Sequence, residues 1–291
     1  MRQTIRLSWL LVHLRLHFQL LLAPVFLWGW LVAGGGWTGS VILAFIACHV
    51  FLYGGATAFN SYYDRDEGPV GGLERPPPVE PALLPFAVAT KAVGWLLAAF
   101  VNLPFWLVYT GFAALSFAYS HPRVRLKAHT LGSLLTVGLG QGVLAFVAAW
   151  AAVRGELQTL LSFDGLLGAS AATLLILALY PLTQLYQVEE DRARGDRTLA
   201  VAWSPARCFA FALGCSVLGG AAMLAELLRR FGGADALLVG LGLAGQVLAV
   251  AWWARRYEPR QVLTNYRHVM RLNTLSAGAL GAYLVVRLLY A

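Results

Sequence analysis

About nine stretches of some twenty apolar residues run through this 291-residue chain, and no other feature constrains its fold as strongly. A bilayer core roughly 30 Å thick is crossed by about 20 residues of helix. The windows lie near residues 17–34, 39–60, 82–102, 104–120, 130–152, 166–187, 205–228, 234–254 and 268–289, with only Asn102, Leu103 and Pro104 breaking the third from the fourth. Charged residues make up 12% of the chain, against about a quarter in an ordinary soluble domain. A soluble fold is excluded, and the expected class is an all-α polytopic membrane protein. One domain over residues 1–291 is expected, because no low-complexity segment or flexible linker divides the chain.

The basic residues follow the spans in a regular way. Seventeen of the 22 Lys and Arg residues fall before the first span or after the second, fourth, sixth and eighth, whereas Arg154, Arg229 and Arg230 alone occupy the opposite loops. Cytoplasmic loops are the Lys/Arg-rich ones, so the N-terminus and the four long loops are expected on the cytoplasmic side of a bacterial inner (cell) membrane. The net charge of +8 then belongs to one membrane face, where it suits anionic lipid or an anionic substrate. Nucleic acid is a poor partner, since the basic residues are dispersed among spans. The first span is not read as a secretory signal, because eight more follow and no small-residue cleavage pattern closes it. Residues 1–16 are expected to include a helix lying on the membrane, with Arg2, Arg6 and His13 towards phosphates and Trp9 at the interface. Cys48, Cys208 and Cys215 lack paired or metal-type spacing and read as packing residues.

Two acidic loops interrupt this pattern. The second span runs into NSYYDRDEGP, and the sixth into QVEEDRARGDRTLAV. Asn60 and Asp64 are four residues apart, as are Gln187 and Asp191, 127 residues later, so four helices and their loops recur in the same orientation. A helical reading puts Thr57, Asn60 and Asp64 on one face of the second helix, and Tyr180, Gln184, Gln187 and Asp191 on one face of the sixth. Polar groups at such depth must be met by protein or by a wet cavity, so the two stripes are expected to converge on a cavity open to the cytoplasm.

Either loop alone is an ordinary solvated turn, but two at equivalent helix ends form a candidate metal site. Magnesium takes oxygen ligands, keeps waters, and is usually held by one or two carboxylates plus substrate phosphate oxygens. Asp64, Asp66, Glu189, Glu190 and Asp191 are the candidate metal ligands. The basic run Arg123 to Lys127 is by itself more often a topology signal; beside two acidic loops it also offers charge to a departing diphosphate. Elsewhere, Gln141 in GLGQG reads as a helix–helix hydrogen bond made possible by Gly138, Gly140 and Gly142, and His49 as a satisfied buried histidine. Asn265 and Asn273 either line the same cavity or bond neighbouring backbone, and Lys91 is expected to snorkel.

The chain resembles the UbiA superfamily of intramembrane prenyltransferases over nearly its whole length. Asn60 and Asp64 match the family's NDxxD core, and Glu189, Asp191, Gly195, Thr198, Leu199 and Ala200 match its DxExDxxxGxxTLA run. SHPRVRLK, Ser120 to Lys127, is similar to the family's basic segment, with Arg123 and Lys127 at the usual positions. Three positions depart from the pattern: Ser61, Gly68 and Gln187 each stand where an acidic residue occurs in the family. The resemblance implies Mg2+-dependent transfer of a polyprenyl group from its diphosphate to a lipid-soluble, aromatic, quinone-precursor-like acceptor. It implies Asp64, Asp191, Arg123 and Lys127 as catalytic residues, and Asn60, Arg65, Tyr180, Gln184, Gln187, Arg197 and Asn273 as substrate-binding residues. Tyr62, Tyr63, Tyr180 and Tyr186 lie near the motifs and offer ring faces to an electron-poor allylic carbon, unless they only form an interfacial belt. Two other readings share the scaffold: a terpene cyclase acting on a prenyl diphosphate, and a noncatalytic membrane protein that binds an isoprenoid or quinone.

Overall fold

A computed structural model describes residues 7–290, so Arg2 and Arg6 of the expected interfacial helix lie outside the described residues. Eight of its helices have the length and apolarity to cross a membrane. They are α1 (Leu7–Val32), α2 (Gly39–Asp64), α4 (Leu103–Ser120), α5 (Thr130–Arg154), α6 (Phe163–Gln184), α7 (Pro205–Arg230), α8 (Gly233–Ala254) and α9 (Val262–Leu289). The apolar helix α3 (Leu83–Ala99) is 17 residues long. Polar caps set several starts: the Thr38, Asn102, Ser162 and Ser204 side chains accept from the backbone N–H groups of Val41, Phe105, Gly165 and Arg207. Each satisfies a donor that the first helical turn leaves without an internal partner.

One boundary agrees with expectation and one differs. Within α1 the segment Leu7–His13 is set off ahead of the first apolar run, because Arg15 adopts a left-handed conformation (φ 50°) and restarts the helix at Leu16. Leu10 on its inner face and Leu14 just beyond it pack on Ala58, Phe59, Leu83 and Ala87 of α2 and α3. At the other boundary, α6 stops at Gln184 and a short helix begins at Val188. Pro181 removes one backbone donor from the last turn, and the following amides tighten to three-residue bonds, Leu185 to Leu182 and Gln187 to Gln184. The expected polar stripe from Tyr180 to Asp191 is therefore split between two helices.

The packed core fills the end of the bundle remote from the acidic loops. Trp28, Trp30, Phe146 and Trp150 are almost wholly buried there, and Trp28 donates its indole N–H to the Gly168 carbonyl. Small residues set the helix spacing. A Cβ on Gly29 would stand 2.5 Å from the Phe146 carbonyl oxygen, and one on Gly142 would stand 2.7 Å from the Thr173 Cα. The close approach read from GLGQG is thus present at Gly142. All three cysteines are buried, in keeping with a packing role. Lys91 does not snorkel: its ammonium donates to the Ser116 hydroxyl and lies 3.7 Å from the Phe117 ring centre, while Gly55 leaves room for its stem. His49 stacks on Phe45 with Nδ1 3.0 Å from the Phe45 carbonyl oxygen.

Because backbone rather than a movable side chain faces Gly29, Gly29→Ala is expected to destabilise the fold by about 1–3 kcal/mol. Gly111→Ala, with nothing within 4 Å of the new Cβ, is expected to cost nothing. Thermal unfolding of the two variants in detergent checks the contrast.

Candidate functional site

The ends of α2 and α6 meet at one end of the bundle, and the geometry there starts from two side chains one helical turn apart. Asn60 Oδ1 accepts from the Ser120 hydroxyl at 2.8 Å and from the Lys127 ammonium at 2.7 Å. Lys127 also pairs with the Asp64 carboxylate, whose other oxygen lies 3.3 Å from the Arg125 guanidinium. Lys127 reaches this position from a single 3-10 turn, Leu126–Ala128, set up by the left-handed backbone of Arg125 (φ 43°). Beyond Asp64, Arg65 is left-handed as well (φ 52°), which turns the acidic loop back over the bundle.

The second loop approaches from the opposite side. Asp191, buried on the helix Val188–Arg194, accepts from the Thr198 hydroxyl at 3.0 Å and from Arg194 at 2.7 Å. Arg194 reaches Asp66 of the first loop at 2.6 Å. Glu190 accepts from the Glu67 backbone N–H at 3.0 Å, and Arg125 joins Asp64 to Asp196. The Arg197 backbone N–H donates to the Ala128 carbonyl, which fastens the basic turn to the second acidic loop. Burial raises the Asp191 carboxyl above its ordinary value and lowers the Lys127 ammonium below its own. Burial also works against the charge on Arg194, but the bonds to Asp66 and Asp191 outweigh it and raise that guanidinium further.

Beneath this cluster lies a cavity of about 270 Å³ whose polar lining includes Asn60, Tyr119, Gln141, Tyr180, Gln187 and Asn273. Gln141 sits in a wide π-helical turn, Gly138–Leu144, and lines this cavity rather than making the interhelical hydrogen bond read from its glycine setting. A larger apolar cavity of about 680 Å³ lies among α1, α6, α7, α8 and α9. Leu21, Ile176 and Leu179 line both, so the two spaces adjoin.

Asn60, Asp64, Asp66, Lys127, Glu190 and Asp191 come together as one cluster, and Tyr180, Gln187 and Asn273 line its cavity. Other candidates are placed elsewhere. Arg123 and Arg65 are exposed, and the Arg197 side chain is exposed while its backbone holds the loop. Glu189 is 83% exposed and pairs only with Arg192, because residues 189 and 192 face outward on a helix whose residues 191 and 194 face inward. Gln184 lines neither cavity; its side-chain oxygen accepts from the Ala200 N–H. Asn265 bonds the Glu258 carbonyl and the Trp253 indole, so of that pair Asn273 alone faces the cavity. Tyr186 lines the cavity, whereas Tyr62 and Tyr63 pack beside Phe59 and Leu83.

Arg125, Arg194 and Asp196 are site residues that motif reading missed. The three-residue step from Asp191 to Arg194 is a signal visible in the sequence; the pairing of Arg125 with residues 61 and 71 positions away is not. Arg15 was also missed: it is buried and donates to the Ser61 hydroxyl at 2.6 Å and the Gly71 carbonyl at 3.3 Å. Ser61 therefore faces Arg15, and its neutrality removes no carboxylate from the cluster. Gly68 lies where a Cβ would stand 3.1 Å from Glu190, so a carboxylate of the second loop fills the space beside it. Among the described residues no three His, Cys, Asp or Glu side chains stand in metal-holding proximity, since Arg125, Lys127 and Arg194 lie between the carboxylates.

The model of the UbiA prenyltransferase family matches residues 22–275. No curated protein sequence matches the chain. Among solved structures, it is similar to a UbiA homolog from Archaeoglobus fulgidus bound to GPP and Mg2+, with 19% identity, TM-score 0.67, and coverage of 96% of this chain and 100% of that one. It is also similar to the apo structure of a UbiA homolog from Aeropyrum pernix K1, with 20% identity, TM-score 0.67, and coverage of 98% and 99%. A third likeness is to a digeranylgeranylglyceryl phosphate synthase, with 15% identity, TM-score 0.64, and coverage of 96% and 98%.

Arg125→Ala removes the cation shared by Asp64 and Asp196, and because that guanidinium is partly exposed its expected cost is about 1–3 kcal/mol. Arg123→Ala is expected to stay within about 0.5 kcal/mol of the parent. Denaturation midpoints of the two variants test this. Asp191 has a folded-state value above its unfolded one, so its contribution to stability is present at low pH and lost as pH rises through the folded value. Asp191→Asn is therefore expected to match or exceed the parent's melting temperature at neutral pH, with the difference shrinking on acidification.

Proposed function

This chain belongs to the UbiA prenyltransferase family, and we propose that it transfers a polyprenyl group from a prenyl diphosphate to a lipid-soluble, aromatic, quinone-precursor-like acceptor, with Mg2+. The observation that supports this most is the folding of two acidic loops, from distant parts of the chain, into one cluster above adjoining polar and apolar cavities. The donor chemistry fits the ion: all candidate ligands are oxygens, and Mg2+ needs few protein carboxylates when substrate phosphates complete its sphere. Asp64, Asp66 and Asp191 would hold it, and when bound it neutralises the diphosphate and draws electrons from the allylic C–O bond.

The chain's own groups supply the rest. Lys127 and Arg125, already beside Asp64, place positive charge where the diphosphate gains negative charge as it departs. The bond between the allylic carbon and the diphosphate oxygen breaks, a bond forms from that carbon to the acceptor ring, and the ring gives up a proton. Tyr119 and Tyr180 line the polar cavity, and a ring face near a desolvated cationic carbon is worth about 2 kcal/mol. The 680 Å³ cavity offers apolar walls to the isoprenoid tail. The Lys/Arg asymmetry of the loops supports a cytoplasmic position for this end of the bundle.

Incubation of the purified protein with a prenyl diphosphate, with and without Mg2+ and membrane lipid extract, tests the reading. Mg2+-dependent diphosphate release and a prenylated lipid detected by mass are expected. Asp64→Asn and Asp191→Asn should each reduce release by about 100-fold or more while the protein still folds. Release that needs no added lipid would indicate cyclisation of the chain's own cation, and tight lipid binding without release a noncatalytic role.

A further inference from the structure

Among the described residues, one side chain touches more carboxylates of the two acidic loops than any other. Arg194 Nη1 lies 2.6 Å from Asp66 and Nη2 lies 2.7 Å from Asp191, with Asp196 at 3.6 Å and Glu190 at 3.7 Å. One guanidinium thus faces four carboxylates drawn from both loops. Its neighbour Arg192, on the same short helix, points outward to Glu189, so the inward placement of Arg194 comes from its register with Asp191.

We propose that Arg194 is a resident counter-ion that competes with a divalent cation for Asp66 and Asp191, so that the site resists bare metal and takes it up together with a diphosphate. The inference rests on the Mg2+-dependent reading above. Both oxygens of Asp191 are engaged, Oδ1 by Arg194 and Oδ2 by Thr198, and Asp66 Oδ1 is engaged by the same guanidinium. A metal ion reaching Asp191 Oδ1 must displace or share the Arg194 bond, and close approach of the two cations is opposed. The balance of charge agrees. Asp64, Asp66, Glu190, Asp191 and Asp196 face Arg125, Lys127 and Arg194, with the buried Arg15 guanidinium held against the first loop, which leaves a surplus of only one negative charge for an incoming divalent ion. A diphosphate adds the missing negative charge, and the planar fork of a displaced arginine suits its oxygens. The Arg194 side chain is 22% exposed, so it stands at the solvent side of the cluster and outside the packed core.

The test uses full-length protein in detergent, with Mg2+ alone as the probe and no turnover. Arg194→Gln is expected to bind Mg2+ about tenfold more tightly than the parent by calorimetry. Without metal it should melt lower, since the carboxylates have lost a cation, and saturating Mg2+ should close that gap. Equal or weaker Mg2+ affinity, with a gap that persists in metal, would make Arg194 a structural staple and overturn the proposal. Arg194→Lys keeps one charge but cannot span Asp66 and Asp191, so it should fall between the two; it serves in place of the glutamine variant should that fail to fold. If neither parent nor variant binds Mg2+, alone or with inorganic pyrophosphate, the Mg2+-dependent reading fails and the proposal with it. If the parent binds Mg2+ with pyrophosphate but the variant shows no gain for Mg2+ alone, the present inference alone is overturned.

Discussion

Five carboxylates share one end of an apolar helix bundle only because cations stand between them. Taking an ionised group out of water costs several kcal/mol, and only a well-placed opposite charge or hydrogen-bond donor offsets it. Arg125, Lys127 and Arg194 do this here, each touching carboxylates far away in sequence. The architecture depends on those pairings: they hold the loop after α2 against the loop after α6, above the cavity that Asn60 and Gln187 line. The paired cluster is a strong-field region next to a low-dielectric chamber, an arrangement suited to binding a charged head on a greasy tail.

The local backbone serves this arrangement. Arg15, Arg65 and Arg125 are the three non-glycine residues with positive φ among the described residues, and each stands at a turn around the site. One restarts the first helix, one turns the first acidic loop back, and one sets Lys127 in place. Left-handed backbone costs an ordinary residue about 1 kcal/mol or more and persists where surrounding contacts over-determine it. Two of the three are so held, Arg15 by Ser61 and Gly71 and Arg125 by Asp64 and Asp196. The break after Pro181 belongs with them, since it frees the helix carrying Asp191 to turn independently of α6.

Much of this was legible from hydropathy and spacing. An apolar run of twenty residues has one economical solution in lipid, so the helices and the alternation of their loops follow from composition along the chain. Asn60 with Asp64 is a turn of helix wherever the helix goes, and two such pairs at matching ends signal a shared site. Arg123, Arg65, Arg197 and Glu189 lie outside the cluster, because charge in a loop carries no direction until the turn geometry is known, and Gln184 lies at the end of α6 where its side chain turns to the Ala200 N–H. Glu189 and Asp191 are two residues apart and face opposite ways.

What the sequence determined by itself was an all-helical membrane-type fold, the pairing of two acidic motifs, and membership of a family, because each rests on short-range periodicity or on residue identity at fixed spacing. What only the tertiary structure decided was which cation meets which carboxylate and which polar groups face the cavity. Arg125 reaches Asp196 across 71 residues, and Arg194 reaches Asp66 across 128. Such contacts depend on side-chain direction and on the packing of helices that are not neighbours in the chain, and no local pattern encodes either.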